Sequence, residues 1–195
     1  MLIRHRGHEP VVDPSAYVAP TATLAGRVRV GPRARVMYGA VLDAEDGAIE
    51  VGECSIICEN AVLRGEVSLG DHVFAGPHAT LLGCRVGRCA YLATGATVLQ
   101  EAVVGAGAVV AIGAAVHAAT VLADESFVPP NMIAVLDGLY APGDPALPEA
   151  IKGVEFAKVA FGVEADWEDR IRRYERAAEV RSAQFGAHAD DEIVG

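Results

Sequence analysis

The chain has 195 residues, 52% of them hydrophobic but only 6% aromatic, and a net charge of −10 at neutral pH. That length suits one domain with an appendage, and the negative charge argues against nucleic acid or an anionic membrane as a partner. Many Val, Leu and Ala residues with few rings fit a narrow core filled by small side chains.

In chain order, residues 1–10 are polar and charged and form a lead-in strand or arm, with no secretory signal expected. No apolar run approaches a bilayer span, so no membrane association is expected. From Val12 onward almost every sixth residue is aliphatic: Val12, Val18, Leu24, Val30, Val36 and Leu42, then Val51, Ile57, Leu63, Leu69, Ala75 and Leu81. After a one-residue contraction the ladder resumes at Val86 and runs through Leu92, Val98, Val104 and Val110 to Val116. This is the hexapeptide signature of a single-stranded, left-handed parallel β-helix, mainly β, here assigned to residues 11–123. Three rungs make one coil, so residues about 18 apart stack at roughly 4.8 Å. Between Leu42 and Val51 the period breaks, and Asp43–Glu50 is expected to bulge out as a loop; insertions in such repeats often bear function.

Residues 124–148 form a Pro/Gly-rich connector leaving the solenoid, and residues 149–195 hold C-terminal helices and a tail. Helical patterns cover Pro148–Phe161 and Glu164–Phe185. In the second, Trp167, Ile171, Tyr174, Ala178 and Phe185 recur at helical spacing, which predicts an apolar stripe packed on the outside of the solenoid. The flat, small-residue faces of the coils call for close subunit contact, and a homotrimer about an axis parallel to the helix is the economical arrangement. Cys54, Cys58, Cys84 and Cys89 make no CxxC pair and no zinc-ribbon spacing, which points to a reduced, cytoplasmic setting.

The segments Val12–Asp13–Pro14–Ser15–Ala16–Tyr17–Val18–Ala19–Pro20, Ala40–Val41–Leu42, Val51–Cys84 and Val128–Pro129–Pro130–Asn131 resemble the γ-class carbonic anhydrases. The resemblance covers roughly residues 10–135. It implies a left-handed β-helical homotrimer with a C-terminal helix and zinc held between subunits by three histidines. In that alignment the three histidine positions fall on Arg64, Pro77 and Leu82, none of which offers a zinc donor. The family's Arg–Gly–Asp becomes Asp43–Ala44–Glu45, and its Asn–Ile–Gln–Asp becomes Ile56–Ile57–Cys58–Glu59. The expectation is therefore a family body with no metal, no other cofactor and no zinc-dependent CO2 hydration.

In the register of the repeat, Arg64, Leu82, Leu99 and His117 share one column. Glu59, Pro77 and Thr94 share another corner, with Asn60, His78 and Gly95 beside them. The resemblance brings Arg64 of one subunit against the Glu59, Pro77 and His78 corner of its neighbour, with Asp43 and Glu45 nearby. Arg64 then either closes a structural ion pair or offers its fork to a small carboxylate or bicarbonate-like ligand. For the second case the candidate catalytic residues are His78, as the acid–base group, and Glu59. The candidate ligand-binding residues are Arg64, Asp43, Glu45, Cys58, Asn60 and Leu82. Two alternatives stand beside this reading: a hexapeptide acyltransferase using His78 or His117 as base, and a non-catalytic scaffold subunit. Cys54, His72 and Cys89 stack on one corner, where an incidental ladder is favoured over a soft-metal site. His5, His8 and His188 lie in the termini and carry no functional expectation.

Overall fold

The computed structural model describes residues 1–164 and 169–195. Short strands stack in parallel into three sheets, two of seven strands and one of ten, which form the walls of a β-helix. The register follows the sequence ladder. Leu24 pairs with Leu42, Leu42 with Leu63, Leu63 with Leu81 and Leu81 with Val98. These rungs point inward, and Leu24, Leu42, Leu63, Leu81 and Val98 are wholly buried. Coils approach so closely that some positions exclude a side chain. A Cβ on Gly31 would lie 2.8 Å from the Val51 carbonyl oxygen, and one on Gly87 would lie 2.6 Å from the Ala106 nitrogen.

The helix is longer than the ladder predicts at both ends. Leu2–Arg4 already pairs in parallel with Thr23–Ala25. Beyond residue 123, Phe127–Val128 pairs with Val109–Val110 and Ile133–Val135 pairs with Ala115–Val116. The bound at 123 falls short because Pro129 and Pro130 interrupt the composition, not the backbone pairing. Both edges of the ten-stranded sheet are closed by antiparallel strands, Glu192–Ile193 on Leu2–Arg4 and Gly138–Tyr140 on Ile133–Val135. Such closure removes the exposed donors and acceptors of an open edge.

The insertion is also smaller than expected. Ile49–Val51 is a strand paired with Val28–Val30 and Val67–Leu69, and Ile49 is core. Only the segment around Glu45–Ala48 leaves the coil. Among the described residues the C-terminal part holds three α-helices: α1 (Leu147–Gly153), α2 (Phe156–Phe161) and α3 (Arg170–Phe185). The first predicted helix breaks in two at Glu155, which has a positive φ of 50°. In α3 the predicted stripe is not the packed one: Ile171 is 76% exposed and Tyr174 is 59% exposed. The inward ridge is instead Arg173, Ala177, Arg181 and Phe185, each four residues after the last. Of these, Arg173 and Ala177 are buried. Trp167 lies outside the described residues. None of the helices among the described residues is long and apolar enough to cross a membrane.

Candidate functional site

The ten-stranded sheet places Asp43, Arg64 and Leu82 in one row across successive coils. Asp43 is buried, and its Oδ1 accepts a 3.0 Å hydrogen bond from the Glu45 backbone N–H, which starts the insertion turn. Arg64 stands between two carboxylates without bonding either. Its Nε is 3.8 Å from Asp43 Oδ2 and 3.6 Å from Glu45 Oε1, beyond hydrogen-bond length. That Nε is buried and has no hydrogen-bond partner, although the Arg64 side chain as a whole is 35% exposed.

The C-terminal helix completes this cluster. Arg181 grips Glu45 with both arms of its fork, Nη2 to Oε1 at 2.8 Å and Nη1 to Oε2 at 3.2 Å. One turn further on, the Phe185 ring centre lies 5.1 Å from the Arg64 guanidinium and 4.6 Å from that of Arg181. Both distances fall in the range of cation–π attraction. Arg181 had no place in the sequence reading, and Phe185 entered it only as part of the apolar stripe; their spacing of four on one helical face was the available signal.

A second group lies beside it and corrects the expectation that His5 and His188 carry no argument. The two imidazoles stack with centroids 4.3 Å apart. Asp191 joins them, Oδ1 to His5 Nδ1 at 2.6 Å and Oδ2 to His188 Nδ1 at 2.9 Å. Arg6 Nε donates to His5 Nε2 at 3.2 Å, so the His5 proton sits on Nδ1 and points to Asp191. The other nitrogen of His188, Nε2, is 3.4 Å from Asp43 Oδ2, which links this group to the Arg64 row. Burial pushes the Asp191 carboxyl up, but hydrogen bonds and charge from His188 and His5 outweigh it and hold the carboxyl below its ordinary range. The three residues bring potential ligand atoms within 4.8 Å of one another. Stacked rings, however, send their lone pairs side by side and not to one point, so the geometry suits a shared hydrogen-bond acceptor better than an ion.

The remaining predicted residues sit on another corner of the same chain. Cys58, Glu59 and Asn60 follow the strand Ile56–Ile57, and His78 stacks above Asn60 in the next coil, its N–H donating to the Glu59 carbonyl at 2.9 Å. Asn60 and His78 hold positive φ values of 58° and 59°, the left-handed position of the coil turn, and both side chains are exposed. The Asn60 amide packs over Gly39 of the preceding coil. Cys58 is buried, and burial, followed by the charge of Glu59, pushes its thiol up. Within one chain no hydrogen bond or ion pair among the described residues joins this corner to Arg64. Cys54, His72 and Cys89 likewise occupy left-handed turn positions, with φ of 55°, 59° and 58°. They form a turn ladder, and their donor atoms do not converge on one point.

His117 continues the Arg64 column toward the far end. Its Nδ1 is buried without a hydrogen-bond partner, its ring lies 5.4 Å from that of Phe156 in α2, and burial pushes its pKa down. A separate cavity of about 790 Å³ lies between the three helices, lined by Phe156, Phe161, Arg172 and Tyr174 among others. It shares no lining residue with the Arg64 row.

No family model matches the chain. Gamma carbonic anhydrase 1, mitochondrial, of Arabidopsis thaliana is 36% identical over 118 residues, which cover 55% of this chain and 43% of that protein. Carnitine operon protein CaiE of Escherichia coli K12 is 31% identical over 106 residues, covering 52% of this chain and 54% of that one. The chain thus spans about half the length of the curated relatives it matches. A hexapeptide transferase family protein from Anaplasma phagocytophilum shares the fold, with a TM-score of 0.54 and 23% identity over 95% of this chain and 96% of that one.

Proposed function

We propose that the chain, whose matches to gamma carbonic anhydrases place it with the γ-carbonic-anhydrase-like hexapeptide-repeat proteins, is a metal-independent member that binds a small carboxylate at Arg64. The donor set does not fit zinc. The three positions that the resemblance aligns with zinc histidines hold a guanidinium, a proline ring and an isobutyl group, and none is a ligand. A fixed cation at Arg64 also repels a metal ion.

One observation carries the reading: the Arg64 Nε is buried, unbonded and held only at long range by Asp43 and Glu45. A buried donor without an acceptor costs about 1–3 kcal/mol, and a bound carboxylate would repay it with a charge-assisted hydrogen bond. We place this site in a homotrimer, where Glu59 and His78 of a neighbouring copy would complete it and His78 would exchange the proton. Among the described residues of one chain no ion pair involves His78, which accords with that arrangement. Acyl transfer based on His117 is the weaker alternative, because Phe156 stands against the imidazole. A scaffold role without chemistry would leave the Arg64 donor unexplained.

The test is bicarbonate and acetate binding by the untreated protein, followed through the Arg64 Nε–H resonance. Binding that persists after chelation and disappears in Arg64→Gln supports the proposal. Zinc-dependent CO2 hydration by the purified protein, or binding unchanged in Arg64→Gln, defeats it.

A further inference from the structure

The Arg64 row contains a carboxylate that already sits where a ligand's would. Glu45 receives both arms of the Arg181 fork at 2.8 and 3.2 Å, while its Oε1 faces the unbonded Arg64 Nε at 3.6 Å. Phe185 lies against both guanidiniums, at 5.1 and 4.6 Å from its ring centre. Two cations and an aromatic wall therefore surround one carboxylate group.

Glu45 is also placed unlike the residues around it. It stands on a coil that the insertion lengthens: Val41 pairs with Val62, three residues beyond the step from Val62 to Thr80. The following residue, Asp46, is exposed, so solvent lies next to the Glu45 side chain. Asp43, by contrast, is buried in the strand and engaged by His188. With Glu45 in place the charges of Arg64, Arg181, Asp43 and Glu45 balance. With Glu45 turned outward, one positive charge is left over, enough for one monoanion.

We propose that Glu45 is an internal stand-in for the ligand, and that Arg181 is the second ligand-binding cation. The idea rests on the carboxylate reading of Arg64 given above and deepens it: the ligand is a small monocarboxylate that displaces Glu45 from between the two arginines. Glu45 then acts as a tethered competitor. If it fills the fork about nine-tenths of the time, its removal raises apparent affinity about tenfold.

The experiment titrates the full chain with sodium acetate at constant ionic strength, following the Nε–H resonances of Arg64 and Arg181. The variants are Glu45→Gln, Glu45→Ser, Arg64→Gln and Glu45→Gln combined with Arg181→Gln, each checked for folding by circular dichroism. The expected result is weak binding by the parent chain and about tenfold tighter binding by both Glu45 variants. Both arginine resonances should move, and the gain should vanish when Arg181 is also replaced. If the Glu45 variants bind no tighter but Arg64→Gln abolishes binding, the stand-in is overturned and the Arg64 reading survives. If acetate moves neither resonance in any variant, or binds Arg64→Gln unchanged, the Arg64 reading fails and the stand-in with it.

Discussion

The solenoid and the C-terminal helices are held by different forces. In the solenoid each coil covers the next, and Leu24, Leu42, Ile57, Leu63, Leu81 and Leu92 are wholly removed from water. Among the helices, α1 and α2 bury no residue completely and rest on the far end of the coil stack through Val154, Phe156 and Ile151. The tail of α3 reaches the first coils through charge and hydrogen bonding: Arg181 on Glu45, His188 and Asp191 on His5, and Val194 N–H on the Leu2 carbonyl at 2.8 Å. The body is thus stabilised by repeated apolar area, whereas the segment from Arg181 onward is positioned by a few polar contacts. Perturbations that cripple one should barely disturb the other.

The strongest test of that contrast is a cavity. Leu63→Ala should lower unfolding stability by about 2–5 kcal/mol, read from urea denaturation, because neighbouring coils cannot collapse into the space. Arg181→Ala removes a partly exposed ion pair and should cost about 1 kcal/mol or less. Equal losses from the two substitutions would break the comparison.

Proton linkage sharpens the comparison further. Burial lowers the pKa of His117, so as pH falls through the unfolded value near 6.5 the unfolded chain takes up a proton that the native chain refuses. Stability should therefore fall on acidification from neutral pH, and His117→Leu should flatten that slope in urea titrations at pH 7 and pH 5. Asp191 acts in the same sense, but over the lower, carboxylate pH range. Its depressed native pKa contributes stability that is complete above the ordinary carboxylate range and disappears as pH drops through the native value. Asp191→Asn should loosen the tail at neutral pH, seen as faster hydrogen exchange at the Val194 amide with little change at Leu63. Exchange that quickens equally at both would mean the tail and the body open together.

How much of this was legible in the sequence follows from the distance between partners. Leu42, Leu63 and Leu81 pair across single coils, so a short period in the chain encodes their contact and even predicts the row that Arg64 shares with Leu82. Asp43 and Glu45 were set near Arg64 by the resemblance alone, because the period breaks at the insertion between them. Arg181 and Glu45 are 136 residues apart, and His5 and Asp191 are 186 apart, with no periodicity relating them. The apolar spacing of α3 pointed to Ile171 and Tyr174, yet the packed ridge carries Arg173 and Arg181. An arginine can lay its stem on an apolar surface and its charge on a carboxylate, and apolar periodicity does not register that. Glu59, Asn60 and His78 show the complementary case. Their alignment placed them at a site between subunits, whereas a single chain shows them as turn residues on another corner from Arg64.

The smallest perturbation is chemical labelling of the four thiols, which leaves the fold intact while reporting on both regions. Cys89 is exposed, and Cys54 is half-buried with Arg33 Nε donating to its sulfur at 3.1 Å. Cys58 is buried and its thiol pushed up, and Cys84 lies in the solenoid core with burial pushing its pKa up to about 12. An alkylating reagent at pH 8 should therefore modify Cys89 and Cys54 promptly, Cys58 slowly, and Cys84 only when the coils open. Since Cys84 sits between the strands Thr80–Leu82 and Arg85–Val86, its labelling rate measures opening of the body alone. Leu63→Ala should raise that rate, and Asp191→Asn should leave it unchanged while loosening the tail. Faster Cys84 labelling in Asp191→Asn would show that the tail's polar clasp helps hold the coils closed, and the division between apolar body and polar attachment would have to be given up.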